Sequence, residues 1–151
     1  MTIQGDGYQT TIDFSSSEMS SDALIIRLME EKEVTPPGVA GGGANDASTM
    51  RNTTWRTMSP KSLKTLTPVT ITIAYDPALY DEMVAMINDN QLITITFPDT
   101  ATLAFWGWID EFTPGANIEG EQPTATITII PSNQDADNSD AEIAPVFTAA
   151  A

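Results

Sequence analysis

The sequence contains no cysteine and no histidine. Without Cys there is no thiol nucleophile, no disulfide staple and no Cys-ligated zinc or iron–sulfur cluster, and the composition suits a reducing cytoplasm. Without His the chain lacks the usual general base near neutral pH and the commonest metal ligand. Paired carboxylates remain available, but the expectation is a protein that is not an enzyme, with no catalytic residue, no cofactor and no metal. Long apolar runs are also missing. Apolar clusters such as Ala23–Ile26 and Leu103–Trp106 have strand length and fall far short of the roughly 18 residues of a membrane span. The first twenty residues show neither the basic nor the apolar region of a secretion signal. The expectation is a chain made in the cytoplasm, with no membrane partner.

Bases are scarce and unevenly placed. Six Lys and Arg stand against 21 Asp and Glu, for a formal charge of −15. Residues 1–34 hold seven acids and two bases (−5), residues 35–68 one acid and four bases (+3), and residues 69–151 thirteen acids and no base (−13). A surface this acidic lacks the clustered cations that grip phosphate, so nucleic acid would be repelled rather than bound. Net charge of this size also keeps a protein soluble. Solubility does not explain why Arg51, Arg56, Lys61 and Lys64 sit together.

At 151 residues the chain suits one domain, and a domain of that size buries roughly 68–70% of its unfolded surface without staples. Its 21 threonines alternate with isoleucine, a pattern that suits the pleated, half-buried surface of a sheet. Val69–Tyr75 puts Val69, Ile71, Ile73 and Tyr75 on one face. Leu92–Phe97 and Thr124–Ile130 repeat the pattern, and Pro131 stops the last of them. Tyr8–Phe14 and Ala23–Met29 are earlier strand candidates. A hairpin is expected from Gln91–Phe97 and Ala101–Phe112, joined through Pro98-Asp99-Thr100. In its second strand Leu103, Phe105 and Ile109 are expected on one face and Trp106, Trp108 and Phe112 on the other, both faces being covered.

One helix is expected over about 77–88. Asp76 is a good N-cap, Pro77 sits where its missing N–H costs nothing, and Tyr75 with Tyr80 form a hydrophobic staple. Leu79, Tyr80, Met83, Val84, Met86 and Ile87 make a broad apolar stripe. The tail, residues 132–151, has a disordered composition apart from Ile143, Val146 and Phe147. It is expected to be flexible or ordered by a partner.

Residues 35–67 form a long stretch with no strand or helix pattern. It opens on Pro36, Pro37 and the glycines at 38 and 41–43, which resist regular structure. All four of its bases follow. Loops of this length inside compact domains are usually functional or disordered, and Met50, Trp55, Met58 and Leu63 speak against simple disorder. The candidate site is therefore a docking loop made of Pro36, Pro37, Met50, Arg51, Trp55, Arg56, Met58, Lys61 and Lys64, with a flexible loop as the alternative.

Several motifs fail on inspection. Gly38–Gly43 has phosphate-loop spacing but is followed by Ala44-Asn45 instead of Lys-Ser/Thr. Asp135-Ala136-Asp137 begins like a calcium loop, but Asp140 replaces the turn glycine and Val146 the closing Glu. Asn52-Thr53-Thr54 is a glycosylation sequon, which is without meaning in a chain that is not secreted.

Taken in order, the pieces resemble the major tail tube proteins of long-tailed bacteriophages. The carrying residues are Pro36-Pro37-Gly38 with Gly41–Gly43, Thr49-Met50-Arg51-Asn52, and Arg56-Thr57 through Ser59-Pro60. Tyr75-Asp76-Pro77, Leu103–Gly107 and the closing Thr-Ile-Thr-Ile-Ile-Pro strand complete the set. The resemblance spans about residues 5–133 and rests on the order of elements. It implies a mainly β fold of two packed antiparallel sheets, sandwich- or barrel-like, flanked by one helix and carrying a long loop at about 35–67, all within a single domain 1–151. The immunoglobulin-like C-terminal extension of some relatives is not expected in a chain this short. It further implies six copies closing into rings that stack into a hollow tube, a structural virion component made in the host cytoplasm. The implied partners are copies of itself and other tail proteins (tape measure, terminator, baseplate or distal tail), with double-stranded DNA passing through unbound. The other readings kept open are a tail terminator, a contractile injection-system tube, and a soluble β-sandwich carbohydrate-binding or adhesin module using Trp106 and Trp108. Sheathed and unsheathed tubes are not distinguished.

Overall fold

The computed structural model describes residues 10–15 and 30–150. The strand expected at Ala23–Met29, and the start of the one expected at Tyr8–Phe14, lie outside the described residues. The chain is mainly β with one short helix, as its Thr/Ile alternation requires. It divides into two compact units, residues 1–36 with 68–151 and residues 37–67.

The first unit contains β1 (Thr11–Phe14), β2 (Glu30–Thr35), β7 (Val69–Ala74), β8 (Gln91–Thr96), β9 (Thr102–Pro114), β10 (Thr124–Pro131) and β13 (Val146–Thr148). These form one antiparallel seven-stranded sheet in the order β1-β8-β9-β10-β7-β2, with β13 added beside β9. The barrel-like form is the one adopted. The sheet curls until its outermost strands meet, and the Ile12 N–H donates to Glu31 Oε1 at 3.2 Å across that seam. Register then places one apolar residue of each strand against the next: Ile12 opposite Ile95, Ile93 opposite Phe105, Ile109 opposite Ile129, Ile127 opposite Ile71. All eight are buried. Because side chains alternate with period two, the intervening threonines take the other face.

The helix covers the inner face. A 3₁₀ turn at Pro77–Leu79 runs into α1 (Tyr80–Met86), with the Asp76 carboxylate accepting the Ala78 N–H at 3.0 Å. The expected stripe proves narrower. Leu79, Met83 and Met86 are fully buried, whereas Tyr80 and Val84 are about half exposed (49% and 47%). The expected Tyr75–Tyr80 pair meets through a third ring, Phe112, whose centroid lies 6.0 and 6.2 Å from theirs.

Phe112 itself lies on the face opposite to the one expected. Glu111 pairs with Thr128 while Ile109 pairs with Ile129, so Asp110 is an extra residue in β9. A bulge of this kind reverses the alternation beyond it and turns Phe112 towards the helix side, opposite Ile127. Trp106, by contrast, is 8% exposed and Trp108 is half-buried, so the pair offers no open aromatic platform. Gly107 between them is required by space: a Cβ there would stand 2.7 Å from the Ile130 carbonyl oxygen.

The tail, expected to be flexible or partner-ordered, holds β11 (Gln134–Asp135) paired with β12 (Ala141–Glu142), and β13 paired through Val146 to Ala104 of β9. Val146 and Phe147 remain exposed on it.

Burial raises the pKa of Glu31 above its ordinary 4.5, outweighing the backbone N–H groups that favour the carboxylate; nearby Asp13 adds to the rise. The folded state therefore prefers the protonated form. The stability this supplies is complete below the ordinary pKa and is lost as pH rises through the folded-state value. Glu31→Gln should then stabilise the protein at pH 7, by less than about 1 kcal/mol because water still screens the group, and should have no effect near pH 3. Denaturant midpoints at the two pH values check this. In the core, Ile71→Ala should cost about 2–5 kcal/mol, and Thr70→Ala, exposed beside it, under about 0.5 kcal/mol.

Candidate functional site

Residues 37–67, expected to be irregular, form a two-stranded β arm. At its base β3 (Val39–Ala40) pairs with β6 (Thr65–Leu66), and the Gly38 N–H donates to Thr67 Oγ1 at 2.7 Å. Further out β4 (Ala44–Asp46) pairs with β5 (Met58–Pro60). Between the two ladders three residues, Gly41–Gly43, face four, Lys61–Lys64, so one strand bulges. Gly42 and Gly43 take φ of 80° and 90° there, a conformation glycine reaches without steric cost. The glycines that argued against regular structure are thus the joint between two regular pieces.

The tip, residues 47–57, is built by polar contacts. Asn52 is its centre: its Oδ1 accepts from the Thr49 N–H at 3.2 Å, and its Nδ2 donates to the Trp55 carbonyl at 2.7 Å. The Thr57 N–H donates to Ser48 Oγ at 2.8 Å, and the Ala47 N–H to the Thr57 carbonyl at 2.8 Å. Ser48 holds the Asp46 carboxylate below its usual pKa range, with Arg56 adding to the effect. Arg56 Nη1 meets Asp46 Oδ2 at 2.8 Å in a pair that is largely exposed. Exposed pairs contribute little stability, so this one chiefly fixes where Arg56 lies.

The predicted site residues separate into groups. Met50, Arg51, Trp55 and Arg56 come together at the tip, and Met58 follows on β5. Lys61 and Lys64 lie further down at the bulge. Pro36 follows β2 and Pro37 opens the arm. Among the arm's described residues Leu66 alone is buried; Met50 is fully exposed, Trp55 is 81% exposed, and Val39, Met58 and Leu63 are exposed with them. Asn52, Asp46 and Ser48 were missed as site residues. Their signal was local: Asn, Asp and Ser between two short extended pieces build turns with their own backbone.

A two-stranded ribbon is marginal by itself in water. This one buries almost no side chain and still presents large apolar groups on an ordered tip, which is the character of a binding surface. Its chemistry suits a partner that is acidic and carries an apolar surface.

By sequence the chain matches no protein-family model and no curated protein. By fold it is similar to a chain in the six-fold symmetrised baseplate of the anti-feeding prophage (TM-score 0.66, 7% identity, 98% of this chain and 97% of that one). It is also similar to a chain in the C6-symmetric tail of an empty gene transfer agent particle (TM-score 0.59, 12% identity, 95% and 98%). A third likeness comes from the virion of the native gene transfer agent particle (TM-score 0.52, 12% identity, 81% and 87%). At these identities the likeness is one of fold, and it extends over nearly the whole of the first two chains.

Asn52→Ala should loosen the tip while leaving the sheet intact. Amide exchange at residues 49–57 should speed up by an order of magnitude or more, the equivalent of about 1.4 kcal/mol, while the denaturant midpoint moves little.

Proposed function

We propose that this chain is a structural subunit of a phage-type tail tube, assembling through copies of itself into stacked hexameric rings with a hollow centre. The observation that carries this reading is the ordered basic arm, coreless and apolar at its tip, on a fold shared along its length with chains of six-fold tail and baseplate assemblies. A curled sheet that presents strand edges is protected from indiscriminate pairing when the edges are used up in a closed ring. The arm supplies a contact between copies, with Met50 and Trp55 as apolar anchors and Arg51 as its outward charge.

The charge suits the same role. Genome DNA moving through a tube must not stick, and the acidic body gives its phosphates nothing to bind. No step of this function requires catalysis or a cofactor. Tape-measure, terminator and baseplate proteins are the expected neighbours in the virion tail. The likeness to a baseplate chain supports a second reading, a tube or baseplate component of an injection system, which uses the same ring.

Negative-stain imaging of the purified protein should show rings or hollow tubes; a chain that stays monomeric at high concentration would exclude the proposal. Replacing residues 41–64 by Asn-Gly closes the Ala40–Thr65 pair with a two-residue turn. That variant should keep its β circular dichroism and lose tube formation. Arg51→Glu should lengthen assembly times several-fold, more at low than at moderate salt, whereas Arg56→Glu should first disturb the tip.

A further inference from the structure

If the arm joins copies, as proposed above, it needs a landing place on the next copy, and the fold offers one of matching chemistry. The outward side of α1 carries Tyr80 and Val84, one helical turn apart and each about half exposed. Phe112 and Tyr75 extend this surface as a cluster of three rings. Asp76 and Asp81 border it, and the chain from Pro68 onward holds thirteen acids and no base. No cation of that segment can neutralise them.

We infer that the arm tip of one copy docks on the outward face of α1 in a second copy. Met50 and Trp55 then pack on Tyr80, Val84 and Phe112, and Arg51 pairs with Asp81. The tip and the α1 face are complementary in both respects that decide recognition: apolar anchors meet an apolar patch, and positive charge meets negative. Each surface exposes large apolar groups on an ordered element, so docking needs no folding step and covers both at once. Arg56, already paired with Asp46 at 2.8 Å, stays within the arm and positions the tip.

The absence of native cysteine makes a direct test clean. Met50→Cys protein mixed with Val84→Cys protein under mild oxidation should give several-fold more disulfide-linked dimer than Met50→Cys mixed with Thr126→Cys, on the exposed outer face of the sheet. Adding Asp81→Arg to the Val84→Cys partner should lower the yield several-fold. Adding Arg51→Glu to the Met50→Cys partner as well should recover it. Equal yields with Val84→Cys and Thr126→Cys, or no response to the charge exchange, would overturn the inference. Imaging of the unmodified chain separates this contact from the tube proposal. Tubes without preferential cross-linking would remove this landing site and leave the tube, whereas cross-linking without tubes would leave the contact and remove the tube.

Discussion

The interaction on which the structure depends is the contact between the isoleucine layer of the curled sheet and the three buried side chains of α1. Ile71, Ile93, Ile109, Ile127 and Ile129 line the inner face, and Leu79, Met83 and Met86 close over it, all fully buried. Each such side chain is worth about 1.5–3 kcal/mol against exposure, so this layer supplies most of what holds the first unit together. The curl that encloses the layer also brings β1 to β2, where the Glu31 carboxylate spans the seam. Polar contact at that edge is affordable because the apolar layer has already fixed the strands.

The arm works by the opposite physics. It has one buried residue and is shaped by backbone ladders, two glycines at positive φ, and a knot of short polar side chains around Asn52. Such contacts give direction more than stability, since each exchanges a bond to water for a bond within the protein. Order in an exposed element normally has to be recovered elsewhere. In the proposed assembly, covering Trp55, Met50 and Met58 on a second copy would supply it, and an arm already shaped loses less freedom on docking than a disordered one.

The regular part of this division could be read from the residues. Strict Thr/Ile alternation located β7, β8 and β10, and Asp76-Pro77 marked the start of the helix to the residue. What escaped was irregular. Lys32 in β2 and Asp110 in β9 are extra residues in their pairings, so EEKEVT does not alternate and Phe112 sits on the wrong parity. A bulge is decided by the partner strand, and single-strand periodicity does not carry that information. The arm escaped for a related reason. Its strands are two and three residues long, below any period, and its glycines serve a joint instead of a break. The basic and apolar residues of the arm were legible as a composition. That Arg56 is tied to Asp46 while Arg51 is not was hidden, because it turns on where Asp46 lies after the hairpin forms.

The segregation of charge sets a condition on any assembly of this chain. Subunits carrying −15 each repel, and at physiological salt that repulsion is felt only within about 8 Å, the distance at which neighbours in a ring or stack must sit. Burying apolar surface can offset it, but apolar contact alone does not fix which faces meet. A small positive element on an otherwise acidic chain does. It is attracted to nearly every other surface of its neighbours and repelled by their arms, so the arrangement it favours is arm to body, repeated with one sense. That is the polarity the proposed tube of stacked rings requires, and the placement of four bases favours it.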